Sequence, residues 1–159
     1  MPYQDGIRTS KRSAICVVRQ LDVIAVPGVG FNLRLVPDSM SVELTGWDSV
    51  ANLRRRVEVD VRQIRSVRVE SRADLEALID HRALGIGTHM GEKRPNRRRV
   101  GTMQGRGLPG KQFWAVPSGR GSRFLLVVDL SADAEFQRVV IAVDDPEAVA
   151  AAIEDHRSS

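Results

Sequence analysis

The sequence predicts a mainly antiparallel α+β fold of about seven strands that is closed by one C-terminal α-helix. Three apolar segments separated by polar breaks predict the last strands: residues 111–116, 123–130 and 137–143. A helix start signal follows, because Asp145 is a favoured capping residue and Pro146 suits the first helical turn. Val149 and Ile153 then recur at helical spacing. Because this helix has one apolar stripe, we expect it to bury the stripe against the sheet.

Length and composition indicate one globular domain with an aliphatic core. The chain has 159 residues, of which 42% are hydrophobic, 28% charged and only 4% aromatic. Such a length is enough for a substantial core, while the few aromatic residues leave little for a base-stacking surface. The single cysteine, Cys16, excludes an internal disulfide. No apolar run reaches the roughly 20 residues of a membrane-spanning helix, and residues 1–12 lack the apolar core of a signal peptide. We therefore expect a cytoplasmic protein.

The chain divides into a flexible N-terminal tail at residues 1–12 and a single domain at residues 13–157. Alternating or β-branched segments predict the earlier strands of this domain: residues 13–18, 21–26, 32–36, 40–45, 57–61, 64–70 and 99–103. Residues 37–39 are Pro-Asp-Ser, a composition typical of a tight turn. A short helix is predicted over residues 71–81, with Ser71 as its cap and Leu75, Leu78 and Ile79 as its apolar stripe.

Charge is distributed unevenly along the chain. The formal net charge is +4, but residues 93–106 hold six Lys and Arg and no acid, whereas residues 129–155 hold eight Asp and Glu against Arg138 alone. Residues 83–99 are rich in Gly, Pro and Arg and show no periodicity, which predicts a long, mobile, basic loop. The basic segment favours an anionic partner, and the acidic segment opposes nonspecific binding to such a partner.

Six segments of the chain carry a resemblance to a known family. They are Ser-Val-Glu-Leu-Thr at 41–45, Leu-Arg-Arg-Arg-Val-Glu-Val at 53–59, Ile-Arg-Ser-Val at 64–67, Arg-Val-Gly-Thr at 99–102, Phe-Trp-Ala-Val at 113–116 and Val-Ile-Ala-Val-Asp-Asp-Pro-Glu at 140–147. In this order they resemble uncharacterised actinobacterial proteins of the pleckstrin-homology-like (PH-like) superfold, over residues 31–156. The sequence departs from the family pattern at Asp60, where the family often has Pro.

The resemblance implies a bent antiparallel sheet or split barrel whose open end is plugged by the C-terminal helix. In the best-known PH-like domains, loops at the open end bind anionic headgroups, but the resembling family brings no established activity and no catalytic residues. Function therefore has to be argued from the residues themselves.

The basic residues of the central loop and its neighbours form the candidate anion-binding site. Guanidinium groups bind phosphate oxygens in pairs, so a cluster of arginines on one loop is suited to a phosphate-bearing ligand. The candidate residues are Lys93, Arg94, Arg97, Arg98, Arg99, Arg106 and Lys111. The alternative is that these charges lie on a solvated loop and bind nothing.

Catalytic, metal and cofactor sites are not predicted. The three histidines (His81, His89 and His156) do not have the close spacing of a zinc site. Cys16 lies in an apolar run, where a buried, inert thiol is expected. The glycines near residues 85–87 and 101–107 have strands predicted on both sides, whereas a dinucleotide-binding loop needs a helix after it.

The sequence thus predicts a noncatalytic binding or scaffolding domain. The leading hypothesis is a protein partner held at a sheet edge or groove. The first alternative is peripheral binding to anionic lipid or polyphosphate through residues 93–99. The second is nonspecific nucleic-acid binding through the same arginines together with Arg54, Arg55 and Arg56. Nothing in the sequence selects an oligomeric state.

Overall fold

A computed structural model of the chain describes residues 24–28, 30–46, 55–79, 81–86, 97–104, 110–119 and 122–158. Its strands are β1 (Ile24–Gly28), β2 (Phe31–Val36), β3 (Ser39–Leu44), β4 (Arg56–Asp60), β5 (Ile64–Ser71), β6 (His81–Ile86), β7 (Arg99–Gln104), β8 (Gln112–Val116), β9 (Phe124–Leu130) and β10 (Arg138–Ile141). Its helices are α1 (Arg72–Ala77), α2 (Pro146–Arg157) and a 3-10 turn at Val61–Gln63.

The strands form two sheets. The first has the order β1-β2-β3-β4 with every pair antiparallel. The second has the order β5-β9-β10-β8-β7-β6, and its pairs are antiparallel except for β8 and β10, which run parallel. The predicted α+β class with mainly antiparallel strands and a C-terminal helix is confirmed.

Apolar side chains fill both faces of the six-stranded sheet. One face packs against the four-stranded sheet and α2 in a shared core to which Leu33, Val128 and Ile153 belong. The alternate residues of the same strands, such as Trp114 and Val140, form a second cluster with Leu75 of α1. The six-stranded sheet is therefore the central layer, and its strands β7 to β10 are buried on both faces.

The predicted count of about seven strands is too low, and the predicted bent sheet or split barrel is confirmed only as a mainly antiparallel α+β fold. The described residues contain ten strands in two sheets, and those strands do not form a closed barrel. The sequence predicts a mainly antiparallel sheet, but β10 lies between β8 and β9 and runs parallel to β8. The seven-residue connection from β8 to β9 is too long for a tight hairpin and leaves room for one strand between them.

The predicted loop at residues 83–99 is wrong at its start, whereas the strand predicted at 99–103 is confirmed as β7. Residues 83–86 belong to β6, and Arg99 begins β7. The segment was mistaken for a loop because it lacks alternation, whereas backbone pairing with β7 holds it in the sheet, with Gly85 directly opposite Gly101. The predicted helix at 71–81 is also too long, since α1 ends at Ala77 and His81 already lies in β6.

Other predicted elements are confirmed where the structure describes them. The hairpin of β2 and β3, the terminal helix with Asp145 as its cap and the buried Val149 and Ile153 all occur as expected. The predicted tail at 1–12 and strand at 13–18 lie outside the described residues. None of the described helices is long and apolar enough to cross a membrane.

Candidate functional site

The structure divides the predicted anion-binding residues between the two ends of the six-stranded sheet. Arg99 pairs with Val116 at the end of β8, whereas Lys111 precedes the start of that strand. β8 has five residues and a strand rises about 3.3 Å per residue, so Lys111 lies about 16 Å from Arg99 along the sheet. Lys93, Arg94 and Arg106 lie outside the described residues. Arg97, Arg98 and Arg99 therefore form the described part of the predicted cluster.

Lys111 has a local environment of its own. Its Nζ lies 3.5 Å from a carboxylate oxygen of Glu135 and 4.6 Å from the ring centroid of Phe136. An ammonium in contact with both a carboxylate and an aromatic face already has favourable partners. We therefore leave Lys111 out of the site described below.

Arg99 is buried and takes part in an ion triad that the sequence analysis missed. Its Nε lies 3.4 Å from Oε1 of Glu76, and Nε of Arg72 donates to the same oxygen at 2.8 Å. All three side chains are buried. The only sequence signal for the triad was the spacing of Arg72 and Glu76, which are four residues apart and so share one face of a helix.

Arg72 also joins three separate parts of the chain. Its two terminal nitrogens donate to the carbonyl oxygens of Gly119, at 3.0 Å, and Arg97, at 2.7 Å. Its backbone N–H donates to the carbonyl oxygen of Arg123 at 2.9 Å. Arg72 thereby holds α1, the β8–β9 connection and the segment leading into β7 against one another.

These contacts define one arginine-rich end of the six-stranded sheet. It consists of Arg72, Arg97, Arg98, Arg99 and Arg123. The described carboxylates at the same end are Glu70, Asp74 and Glu76, and Glu70 is paired with Arg68. Among the residues that the structure describes at this end, positive charge is in excess, and part of it lies in the protein interior, where solvent screens it least.

A second polar feature crosses one face of the six-stranded sheet. Register places Ser66 of β5 opposite Asp129 of β9, Asp129 opposite Arg138 of β10, and Arg138 opposite Gln112 of β8. These four residues, with Arg68 and Glu70 of β5, are called the polar row below. It lies on the face that otherwise carries the second apolar cluster.

Asp129 is the centre of the polar row. Its Oδ1 accepts from Nε of Arg138 at 2.6 Å, and its Oδ2 accepts from the hydroxyl of Ser66 at 3.2 Å. Arg68 donates to the same Oδ2 and also to Glu70. Burial lowers the pKa of Arg138 from its ordinary value, and the nearby negative charge of Glu70 opposes that shift. Arginine is nonetheless charged at neutral pH.

The row becomes more buried from the sheet edge inward. The exposed side-chain fraction falls from 34% at Arg68 to 22% at Asp129 and 11% at Arg138. Gln112 is completely buried, and its Oε1 accepts from the indole Nε1 of Trp114 at 3.0 Å. A polar path thus leads from the edge of the sheet to a buried amide.

The residues considered for metal binding or nucleophilic chemistry do not assemble into a site in the described part of the chain. No group of three His, Cys, Asp or Glu residues there is arranged to hold a metal ion. His156 lies half-buried on α2, the backbone of His81 lies in β6, and Cys16 and His89 lie outside the described residues.

Comparison of the chain with protein-family models, curated proteins and solved structures finds no match. The function is therefore argued from the geometry above.

Proposed function

We propose that this chain is a noncatalytic binding module that takes a phosphate-bearing ligand at its arginine-rich end. The observation that carries the proposal is the buried triad, in which Arg72 and Arg99 both contact the carboxylate of Glu76. An approaching anion is attracted by this positive charge, because a charge held in a medium of low dielectric constant acts more strongly than one in water.

Arg97 and Arg98 are placed to contact the ligand. Both side chains are only partly buried, whereas Arg72 and Arg99 are buried. The bond from Arg72 to the carbonyl of Arg97 fixes the backbone from which these two side chains project. A fixed backbone lowers the entropy lost when the side chains close on a phosphate group.

The leading hypothesis from the sequence, a protein strand added at a sheet edge, is less well supported. Edge strand β4 presents the exposed ion pair of Arg56 and Glu58, with 3.2 Å between nitrogen and oxygen. On edge strand β5, Arg157 donates to the carbonyl oxygens of Ile64 and Arg65, and the register shifts by a bulge between Ile64 and Ser66. Charges, bulges and covered carbonyls are the features that prevent strand addition.

Several sequence predictions stay predictions. These are the PH-like relationship, the cytoplasmic location with peripheral association to the inner face of the membrane, and nonspecific nucleic-acid binding. The four-stranded meander and the terminal helix support a PH-like relationship, while the parallel pairing of β8 with β10 departs from the succession of antiparallel strands that it implies.

The proposal is tested with the double variant Arg97→Ser and Arg98→Ser, which keeps Arg99 and the buried triad. Binding is measured by co-sedimentation with phosphatidylglycerol vesicles and by calorimetric titration with sodium tripolyphosphate, each at low and near-physiological salt. We expect binding of the wild type to weaken with salt. The variant should lose at least about tenfold in affinity, since each hydrogen bond between charged groups contributes roughly 1.5–3 kcal/mol.

The matched control is the double variant Arg34→Ser and Arg55→Ser, which removes the same charge from exposed positions in or beside the four-stranded sheet. Equal losses in the two variants would indicate a general charge effect and contradict the site. Binding to vesicles alone identifies a lipid surface as the source of the phosphate, and binding to tripolyphosphate alone identifies a soluble polyanion. A wild type that binds neither overturns the proposal.

A further inference from the structure

We propose a second binding site, in the polar row, where Arg138 and Gln112 together receive the carboxylate of a small organic acid. This site lies on neighbouring strands β10 and β8, and it does not rest on the proposed function. Gln112 begins β8, whereas Arg99 pairs with the last residue of that strand. Four residues separate the two places, which corresponds to about 13 Å.

The first argument is the orientation of the Gln112 side chain. The indole N–H of Trp114 can only donate, so the amide atom that it contacts at 3.0 Å has to be the oxygen. The amide nitrogen of Gln112 is therefore directed away from Trp114. This nitrogen is completely buried and has no hydrogen-bond partner. A buried donor of this kind is costly unless an acceptor reaches it.

The second argument is the incomplete bonding of Arg138. This residue is 9% exposed overall, and only its Nε is bonded, to Asp129. Among the described residues, no acceptor is bonded to its two terminal NH2 groups. The side chain is 11% exposed and its terminal nitrogens are not among the fully buried unpartnered atoms, so solvent reaches these donors and an incoming acceptor can reach them too.

The third argument is that, among the described residues, the side chains paired with Gln112 offer its amide nitrogen no strong acceptor. Arg138 and Gln112 are directly paired in parallel register, and adjacent strands lie about 4.8 Å apart. On the other side of Gln112 the paired residue is Met103, whose thioether is a weak acceptor. The register makes Gln112 and Arg138 direct neighbours on one face of the sheet, and we infer that an external group with two acceptor oxygens bonds to both.

The charges of the polar row favour a carboxylate over a polyphosphate. Arg68 and Arg138 are balanced by Glu70 and Asp129, so the row without ligand is close to neutral and would repel a multiply charged anion through its two carboxylates. A carboxylate carries one charge, and its two oxygens match the planar fork of a guanidinium. Arg68 at the sheet edge is partly exposed, and we infer that the carboxylate enters from this side.

The test uses sodium acetate as the probe and the indole N–H of Trp114 as the reporter. The chain has two tryptophans, so the variant Trp47→Phe leaves one indole signal in a nitrogen–proton correlation spectrum. We expect acetate to shift this signal and the Gln112 amide signals in a saturable manner. Sodium chloride at the same ionic strength should not do so. The shift should persist in the Arg97→Ser, Arg98→Ser variant, which separates this site from the arginine-rich end.

Two variants examine the donors themselves. Gln112→Glu keeps an oxygen that accepts from Trp114 and replaces the unpaired amide nitrogen by a second acceptor oxygen. The variant should therefore abolish the acetate-induced shift of the Trp114 indole signal. It should also raise the melting temperature by about 2–4 °C. Arg138→Lys keeps the charge but removes the fork, and it should weaken acetate binding by about tenfold. The proposal is overturned if acetate acts no differently from chloride, or if Gln112→Glu still binds acetate or melts at a lower temperature than the wild type.

Discussion

Glu76 is the carboxylate on which two buried arginines depend. Arg72 and Arg99 approach the same oxygen at 2.8 and 3.4 Å. Replacing Glu76 by Gln removes the negative charge but preserves the shape of the side chain, and it leaves the two cations together in the interior. We expect a loss of about 3–5 kcal/mol in the free energy of unfolding, because breaking a buried pair leaves an uncompensated charge. Urea denaturation followed by circular dichroism measures it.

The control for this prediction is Glu154→Gln on α2. Glu154 pairs with Arg157 at 2.7 Å, but about a third of each side chain is exposed. Exposed pairs contribute up to about 1 kcal/mol. If the Glu76 variant loses no more stability than the Glu154 variant, burial does not distinguish the two pairs and the argument for a strong internal field fails.

Asp60 makes stability depend on pH in the acid range. Its carboxylate accepts from Nε and NH2 of Arg62, at 3.1 and 2.8 Å, and from the backbone N–H of Arg62 at 2.8 Å. The side-chain bonds from Arg62, and then the backbone bond, lower the pKa of Asp60 below its ordinary value of 3.8. Because the folded-state pKa is the lower one, the stabilisation is present above the unfolded-state pKa and is lost as the pH falls through the folded-state pKa.

The variant Asp60→Asn tests this dependence. The variant should have a lower free energy of unfolding than the wild type at neutral pH. This difference should disappear as the pH falls below the lowered pKa of Asp60. Urea midpoints measured for both chains at a series of pH values give the difference directly. If the difference in free energy of unfolding stays constant until Asp60 is fully protonated, the charge of Asp60 does not contribute to stability.

At the scale of elements, α2 has a start signal that both the sequence and the structure show. Oδ1 of Asp145 accepts from the backbone N–H of Ala148 at 3.0 Å, and Pro146 occupies the first turn. Asp145→Ala should lower the free energy of unfolding by about 1 kcal/mol, the usual contribution of a cap. The neighbouring variant Asp144→Ala removes the same charge without removing the cap and should cost less than about 0.5 kcal/mol. Equal costs would contradict the capping role.

The elements that sequence predicts well are those fixed by neighbours along the chain. The β2–β3 hairpin follows from local alternation, and α2 follows from its cap and apolar stripe. β6 was missed because its strand character comes from pairing with β7, whose glycine at 101 faces Gly85. Phe124 belongs to the apolar segment predicted at residues 123–130, yet it is 57% exposed at the start of β9. The alternation of a strand predicts the face of a side chain, but it does not say how far the opposite layer extends.

The candidate sites were harder to predict because their residues are joined by long-range register. Arg97, Arg98 and Arg99 were found as a run in the sequence, and the i,i+4 spacing gave the only sign of Arg72 and Glu76. The polar row left no local sign, since Ser66 and Asp129 are 63 residues apart and meet through the pairing of β5 with β9. Strand order, which the sequence does not encode locally, decides which polar residues become neighbours.

At the scale of the whole molecule, the two sheets share one core. Leu33 of the four-stranded sheet and Val128 of the six-stranded sheet belong to the same buried cluster, which also contains Ile153 of α2. A sheet that buries its apolar face only against the other sheet has little stability of its own. We therefore expect the described strands to unfold together rather than sheet by sheet.

The variant Leu33→Ala tests this coupling, because Leu33 and the reporter Trp114 lie in different sheets. In a Trp47→Phe background, Trp114 is the only tryptophan, and its fluorescence reports on the six-stranded sheet. The substitution should cost about 2–5 kcal/mol, the range for deleting a buried leucine side chain. It should move the fluorescence midpoint in urea as far as the midpoint seen by circular dichroism. If the four-stranded sheet unfolded separately, circular dichroism would show an early phase while the Trp114 midpoint stayed at its original value.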